Sequence, residues 1–301
     1  MGCGRVQGRR AGRRRPPAEP VKGRHRREGR AAPMNPPDGE GGRSPRVAIV
    51  TGSGRGIGRG YARALAEQGH PVVIADLIAD NAHRTAKEIT ASGGTALAVQ
   101  VDVADPDSVA AMVEATLSRF GTVDILVNNA ALFATDIEFN PLDWDPLEGS
   151  LERYHRAMSV NVDGIVHCSR AVAPIMKAKG WGRIINQSSA GVYYDTGNLY
   201  SLTKLTVVSL TRMYARALAR SGVTVNALAP GMTVTEAILN RFDSEDAGRA
   251  YAADFADKNV PMGRPAAVED LLGPLLFLVS DASSYVTAQN LSVDGGWLNR
   301  I

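Results

Sequence analysis

RVAIVTGSGRGIG, residues 46–58, sets a β-branched apolar run directly against a glycine-rich turn. The run reads as a strand buried on both faces, and a helix is expected to follow over 59–69. Glycines between the two permit a tight turn and close approach of a ligand to the backbone. The start of the following helix favours an anion, so the turn is a candidate phosphate cradle. Its spacing, Gly52, Gly56 and Gly58, is neither the GxGxxG fingerprint nor a P-loop, since no Gly-Lys-Ser/Thr follows.

Outward from this stretch the alternation repeats. Further strands are expected at 71–77, 95–103, 123–130, 182–189, 223–231 and 290–296. Helical segments include 106–120, a long one around 150–179, 197–221 and 266–280. The pattern predicts an α/β fold, a Rossmann-like doubly wound parallel seven-stranded sheet with helices on both faces, in a single domain over 46–301. Right-handed crossovers then gather ligands at the carboxyl ends of the strands.

Asp76 ends the second strand, 18 residues beyond Gly58. A carboxylate there is placed to accept hydrogen bonds from an adenosine ribose and would repel the 2′-phosphate of NADP. Arg55 pulls the other way, because a guanidinium near that ribose accepts a phosphate. The carboxylate carries more weight, so NAD is the expected cofactor, with NADP the alternative.

Composition narrows the remaining classes. Of 301 residues, 1–45 hold 12 Lys/Arg against 4 Asp/Glu, net +8, leaving 22 against 27, net −5, in the body. The Arg/Gly/Pro-rich tail lacks hydrophobic periodicity and is expected to be disordered. It reads as a nucleic-acid arm, a targeting peptide, or an inert or start-site extension ahead of Met34, and no function is rested on it. Cys3 and Cys168 have no metal-type spacing and the five histidines are scattered, so no metal is expected and a reduced, cytoplasmic setting fits. No apolar run of about 18 residues suggests a membrane span.

NLYSLTK, residues 198–204, places Tyr200 and Lys204 four apart within a helical stretch, hence on one face. A lysine beside a tyrosine is expected to lower the phenol pKa, making Tyr200 a usable general acid or base.

Together these motifs resemble the short-chain dehydrogenase/reductase family, over nearly all of residues 46–296. TGSGRGIG resembles its cofactor turn, the VDV that includes Asp102 its adenine contact, and NNAA at 128–131 its NNAG. VNVDG with Asn161, YSLTK, APGMTVT and the late VDGG complete the series in order. Three departures stand out: Ala131 where a glycine is usual, Thr233 where an aliphatic residue is usual, and Ala288 where a glycine is common.

The resemblance implies a catalytic set of Asn161, Ser189, Tyr200 and Lys204. Tyr200 exchanges the substrate proton, and Lys204 tunes it and holds the nicotinamide ribose. Ser189 bonds the substrate oxygen, with Ser188 as runner-up, and Asn161 holds a water leading from Lys204 to solvent. Cofactor contacts are implied for Gly52, Ser53, Arg55, Gly56, Ile57 and Gly58 at the turn, and for Asp76, Leu77, Asp102 and Val103 at the adenosine end. Asn129, Ala130, Tyr200, Lys204, Pro230, Gly231, Thr233 and Thr235 follow toward the nicotinamide. A homotetramer is implied, with 150–179 and 197–221 at one interface.

Substrate choice is expected to lie after Pro230, where 236–261 reads as one or two helices able to close over the site. Phe133, Trp144, Tyr193, Tyr194 and Phe242 suggest an apolar pocket, hence apolar or cyclic secondary alcohols and ketones. Two rivals remain: an NADPH-dependent 3-oxoacyl-[acyl-carrier-protein] reductase, and a non-catalytic nucleotide- or nucleic-acid-binding protein.

Overall fold

A computed structural model describes residues 45–133, 142, 144–193 and 197–297. The basic tail and Tyr194 lie outside the described residues. The seven expected strands form, each one to four residues shorter than its apolar run: β1 (Ala48–Thr51), β2 (Val72–Asp76), β3 (Ala96–Gln100), β4 (Ile125–Asn128), β5 (Gly182–Gln187), β6 (Val223–Pro230) and β7 (Asn290–Val293). They make one parallel sheet in the order β3-β2-β1-β4-β5-β6-β7. The order reverses between β1 and β4, so the chain leaves a crevice above their carboxyl ends.

Side-chain alternation divides the core. Ala48 and Val50 of β1, with Val72 and Ile74 of β2, face one layer, while Ile49, Val73 and Ala75 face the other. The first layer holds α1 (Gly56–Glu67), α2 (Ala79–Ala91) and α9 (Leu272–Val279), through Tyr61, Leu65, Ile89 and Leu275. The second holds α3 (Pro106–Phe120), α5 (Gly164–Lys179) and α6 (Leu199–Leu218), through Met112, Val172, Met176 and Leu218. Between β6 and α9 lie α7 (Glu236–Leu239) and α8 (Glu245–Asn259), the segment expected to close over the site.

Local chemistry sets the helix ends. Asp105 accepts a hydrogen bond from the Asp107 amide, Pro106 opens α3 and Gly121 closes it at φ +77°, so its limits match the sequence reading. α1 starts at Gly56, earlier than expected, because the glycine turn feeds straight into it. The long helix around 150–179 is divided: α4 (Leu151–Met158) passes through a π-helical turn, Ser159–Asp163, into α5. Ala288 is the one non-glycine at positive φ among the described residues, +63°, where the family commonly has glycine.

At the amino ends of the strands, Trp181 is held between two guanidinium groups, Arg46 at 3.4 Å and Arg183 at 4.3 Å from the ring centroid. Asp281 accepts from Trp181 Nε1 at 3.1 Å and pairs with Arg46 at 2.8 Å. This cluster ties the start of β1 to the end of α9, far from the crevice. Among the described residues no helix is long and apolar enough to cross a membrane.

Candidate active site

The glycine turn is braced from below. Asn129 Nδ2 donates to the carbonyls of Thr51 (2.9 Å) and Gly52 (3.0 Å), while Thr51 Oγ1 accepts from the amides of Asn129 and Ala130. Gly58 sits so close to this turn that a Cβ would lie 2.2 Å from Gly52 O. Asp76 orients the next stretch of backbone: Oδ2 accepts from the Gly54 amide at 2.8 Å and Oδ1 from the Ile78 amide at 3.0 Å. Those two bonds leave further lone pairs on a carboxylate that lines the crevice.

Tyr200 and Lys204 occupy the start of α6, whose first turn Asn198 caps by accepting from the Ser201 amide at 2.8 Å. The helix puts both side chains on the crevice wall, with Lys204 Nζ 5.5 Å from the Tyr200 ring centroid. Lys204 is 1% exposed and donates to Gln187 O at 2.7 Å. Ser189 hydrogen-bonds the Tyr200 hydroxyl and accepts from the Gly191 amide at 3.1 Å. Phe133 stands edge-on to Tyr200, ring centroids 4.8 Å apart. Ser188, the alternative serine, is buried, and its hydroxyl has no partner among the described residues.

Electrostatics here run opposite to the expectation drawn from Tyr-Lys spacing. Burial pushes the Tyr200 phenol pKa up, and the Ser189 hydrogen bond only partly offsets it. Burial also lowers the Lys204 ammonium from 10.5 to about 7. A lysine that is only half protonated near neutrality cannot impose a full positive charge on its neighbour, so desolvation outweighs proximity.

All these groups open onto one cavity of about 1470 Å³. Of the residues implied as cofactor contacts, Gly52, Arg55, Gly56, Ile57, Gly58, Asp76, Leu77, Asp102 and Val103 line it. So do Asn129, Ala130, Tyr200, Lys204, Pro230, Gly231, Thr233 and Thr235. Two implied residues do not. Ser53 is fully buried; its hydroxyl donates to Val50 O at 2.6 Å and accepts from the Ala75 amide at 3.1 Å, joining β1 to β2. Asn161 is also fully buried, in the π-helical turn. Its Oδ1 accepts from the Leu132 amide (2.7 Å), and its Nδ2 donates to Leu132 O and Thr203 Oγ1, both at 3.1 Å. Those bonds engage both ends of the side-chain amide in bracing α6 and the chain after β4.

The aromatic wall is corrected as well. Of the five aromatics suggested for it, Phe133 lines the cavity, whereas Trp144, Tyr193 and Phe242 do not, and Tyr194 is outside the described residues. Trp144 donates to Ser150 O, Tyr193 accepts from Asn290, and Phe242 packs on Tyr251. The wall is instead built with Tyr251, Phe255 and Trp297, and with Arg153, His155, Arg156 and Arg241. Gln187 also lines it and was missed by the sequence reading, although a polar residue ending the apolar GRIIN run was the available signal.

The arrangement suits a dinucleotide. A tight turn at a helix start suits a pyrophosphate, and Asp76 offers acceptors to a ribose. A family model described as enoyl-(acyl carrier protein) reductase matches residues 52–298. An uncharacterized oxidoreductase of Mycobacterium tuberculosis is 43% identical over 255 residues, spanning 85% of this chain and 98% of that protein. Galactitol 2-dehydrogenase of Agrobacterium fabrum is 37% identical over 266 residues, 84% of this chain and 98% of that enzyme. The crystal structure of a gluconate 5-dehydrogenase from Burkholderia cenocepacia, in complex with NADP and tartrate, matches with a TM-score of 0.73 at 38% identity. That match covers 84% of this chain and 94% of the other.

Proposed function

The chain belongs to the short-chain dehydrogenase/reductase family, oxidoreductases acting on CH–OH groups, and from that premise we propose that it moves a hydride between NAD and a secondary alcohol or ketone. The observation that carries this reading is the convergence of Ser189, Tyr200 and Lys204 on the cavity that also holds the glycine turn and Asp76. The dinucleotide, when bound, supplies the hydride chemistry. The protein's own groups do the rest. Tyr200 gives its proton to the carbonyl oxygen in reduction and takes the hydroxyl proton in oxidation. Ser189, already hydrogen-bonded to that phenol, is placed to donate to the same oxygen as charge develops there. Lys204, with a pKa of about 7, exchanges a proton readily near neutral pH and would hold the nicotinamide ribose of a bound dinucleotide.

Gly52, Gly56 and Gly58 would hold the pyrophosphate at the start of α1, and Asp76 would favour NAD by accepting from the ribose hydroxyls. Arg55 on the same wall favours the second reading, an NADPH-dependent ketoreductase of the 3-oxoacyl type. For the substrate we propose a polar compound bearing hydroxyl or carboxylate groups, in place of the apolar or cyclic one suggested by the aromatics. Arg153, His155, Arg156 and Arg241 on the wall support this, as do relatives named for galactitol and gluconate. Association into a homotetramer is supported by exposed Leu202, Leu205 and Met213 along α6.

The test is reduced-nicotinamide absorbance with a panel of polyols, sugar acids and cyclic alcohols, each with NAD and NADP. Tyr200→Phe serves as control and is expected to lose roughly a hundredfold or more in turnover. Turnover confined to NADP overturns the Asp76 argument, and activity that survives in the control overturns the mechanism.

A further inference from the structure

Gln187 ends β5 beside the catalytic groups, and both its polar ends are organised. Its backbone carbonyl accepts from Lys204 Nζ at 2.7 Å, and the next two residues are Ser188 and Ser189. The residue is 6% exposed, and its Oε1 accepts from the Tyr61 hydroxyl at 3.0 Å. Tyr61 is fully buried in the apolar layer beneath the sheet, packed among α1, α9 and the strands.

That setting determines which way the amide points. A buried phenol proton without an acceptor is costly, and among the described residues Gln187 is the acceptor Tyr61 has. The oxygen of the amide must therefore face Tyr61, which turns Nε2 away from it. Among the described residues Nε2 donates to nothing, yet it is not one of the buried atoms sealed off without a partner. Gln187 lines the cavity together with Tyr200, Pro230 and Gly231, so the unsealed amide nitrogen is the end of its side chain left available to a ligand there.

Resting on the reading that this cavity takes a nicotinamide dinucleotide, we infer that Gln187 is a cofactor-binding residue, its Nε2 donating to the carboxamide oxygen of the nicotinamide ring. The chemistry matches in kind. A neutral amide donor, pre-oriented by a buried phenol, suits a neutral carbonyl acceptor. The phosphates have the glycine turn and the start of α1, and the nicotinamide ribose has Lys204. Tyr61 is then a positioning residue that acts through Gln187, reaching from the helix that carries the phosphate turn to the strand that carries the serines.

The inference is tested by calorimetric titration of the full chain with NAD and with ADP-ribose, which lacks only the nicotinamide, and with the 2′-phosphorylated form of each. Gln187→Leu alone strands the Tyr61 hydroxyl, so the working variant is Tyr61→Phe combined with Gln187→Leu, which removes both polar ends together. The expected result is a roughly tenfold weaker affinity for the dinucleotide with ADP-ribose affinity unchanged, the effect of one lost neutral hydrogen bond. Tyr61→Phe alone, which frees the amide to rotate, should give a smaller loss with the same selectivity. Equal weakening of both ligands, or no change in either, overturns the inference while leaving the proposed function intact. A wild-type chain that binds none of the four ligands removes the dinucleotide reading itself and the inference with it.

Discussion

Lys204→Met should separate catalysis from stability, and pH is the variable that exposes it. In the folded chain Lys204 titrates at about 7, against 10.5 for an ordinary lysine, because it is buried. Between those values the unfolded chain binds a proton that the folded chain has released. Stability therefore rises with pH across this window, and below pH 7 the full cost of burying the ammonium is present. Each pH unit within the window contributes about 1.4 kcal/mol, so from pH 7.5 to 9.0 the wild type should gain about 2 kcal/mol through this one group. Methionine keeps the stem and cannot titrate. It leaves Gln187 O without its donor, a pH-independent loss of about 1 kcal/mol. Urea unfolding of both proteins without cofactor, at several pH values in this range, reads the difference directly, since other titrating groups are common to both. The variant should be inactive, and its stability relative to wild type should fall by about 2 kcal/mol over the range. Parallel stability profiles would refute the claim that Lys204 is held largely neutral by burial.

Asp76→Ala should shift the ratio of NAD to NADP turnover toward NADP by roughly tenfold or more, as expected for a lost charge-assisted hydrogen bond; an unchanged ratio in steady-state kinetics sinks the ribose assignment. Gly58→Ala drives a methyl against Gly52 O, so dinucleotide affinity should fall at least roughly tenfold and stability by about 1–3 kcal/mol. Gly273→Ala in α9, where nothing lies within 4 Å, is its control and should be neutral or slightly stabilising in thermal unfolding. Ala288→Gly relieves the left-handed backbone at φ +63° and should add about 1 kcal/mol in denaturant titration, with no change in turnover. Trp181→Ala removes the ring between Arg46 and Arg183 and should cost about 3 kcal/mol without altering kcat, because it lies at the opposite ends of the strands from the site.

Much of the architecture was legible because it is written in short-range pattern. Near-continuous apolar runs marked all seven strands, and Asp105, Pro106 and Gly121 marked α3 at both ends. α2 escaped notice since its buried face is mostly alanine, with Ile89 as its one large aliphatic contact, and such a face has weak periodicity. The π-helical turn could not be foreseen either, as it coincides with the point where Asn161 reaches the Leu132 backbone, 29 residues away. The choice between Ser188 and Ser189 was open in one dimension because both end the same strand. Side chains alternate in direction there, and the fold turns Ser189 toward Tyr200.

By itself the sequence determined the order of strands and helices, the glycine turn and the set of reactive groups, since these depend on residue type and near-neighbour spacing. Tertiary structure alone decided what those groups are like. Lys204 sits near neutrality instead of being strongly basic because of the bulk packed around it. Gln187 is aimed by Tyr61, 126 residues earlier in the chain. Ser53 and Asn161 are turned to bracing by partners that local spacing does not reveal. Burial and long-range hydrogen bonds are properties of neighbours in space, and a linear pattern carries them only once the chain has folded.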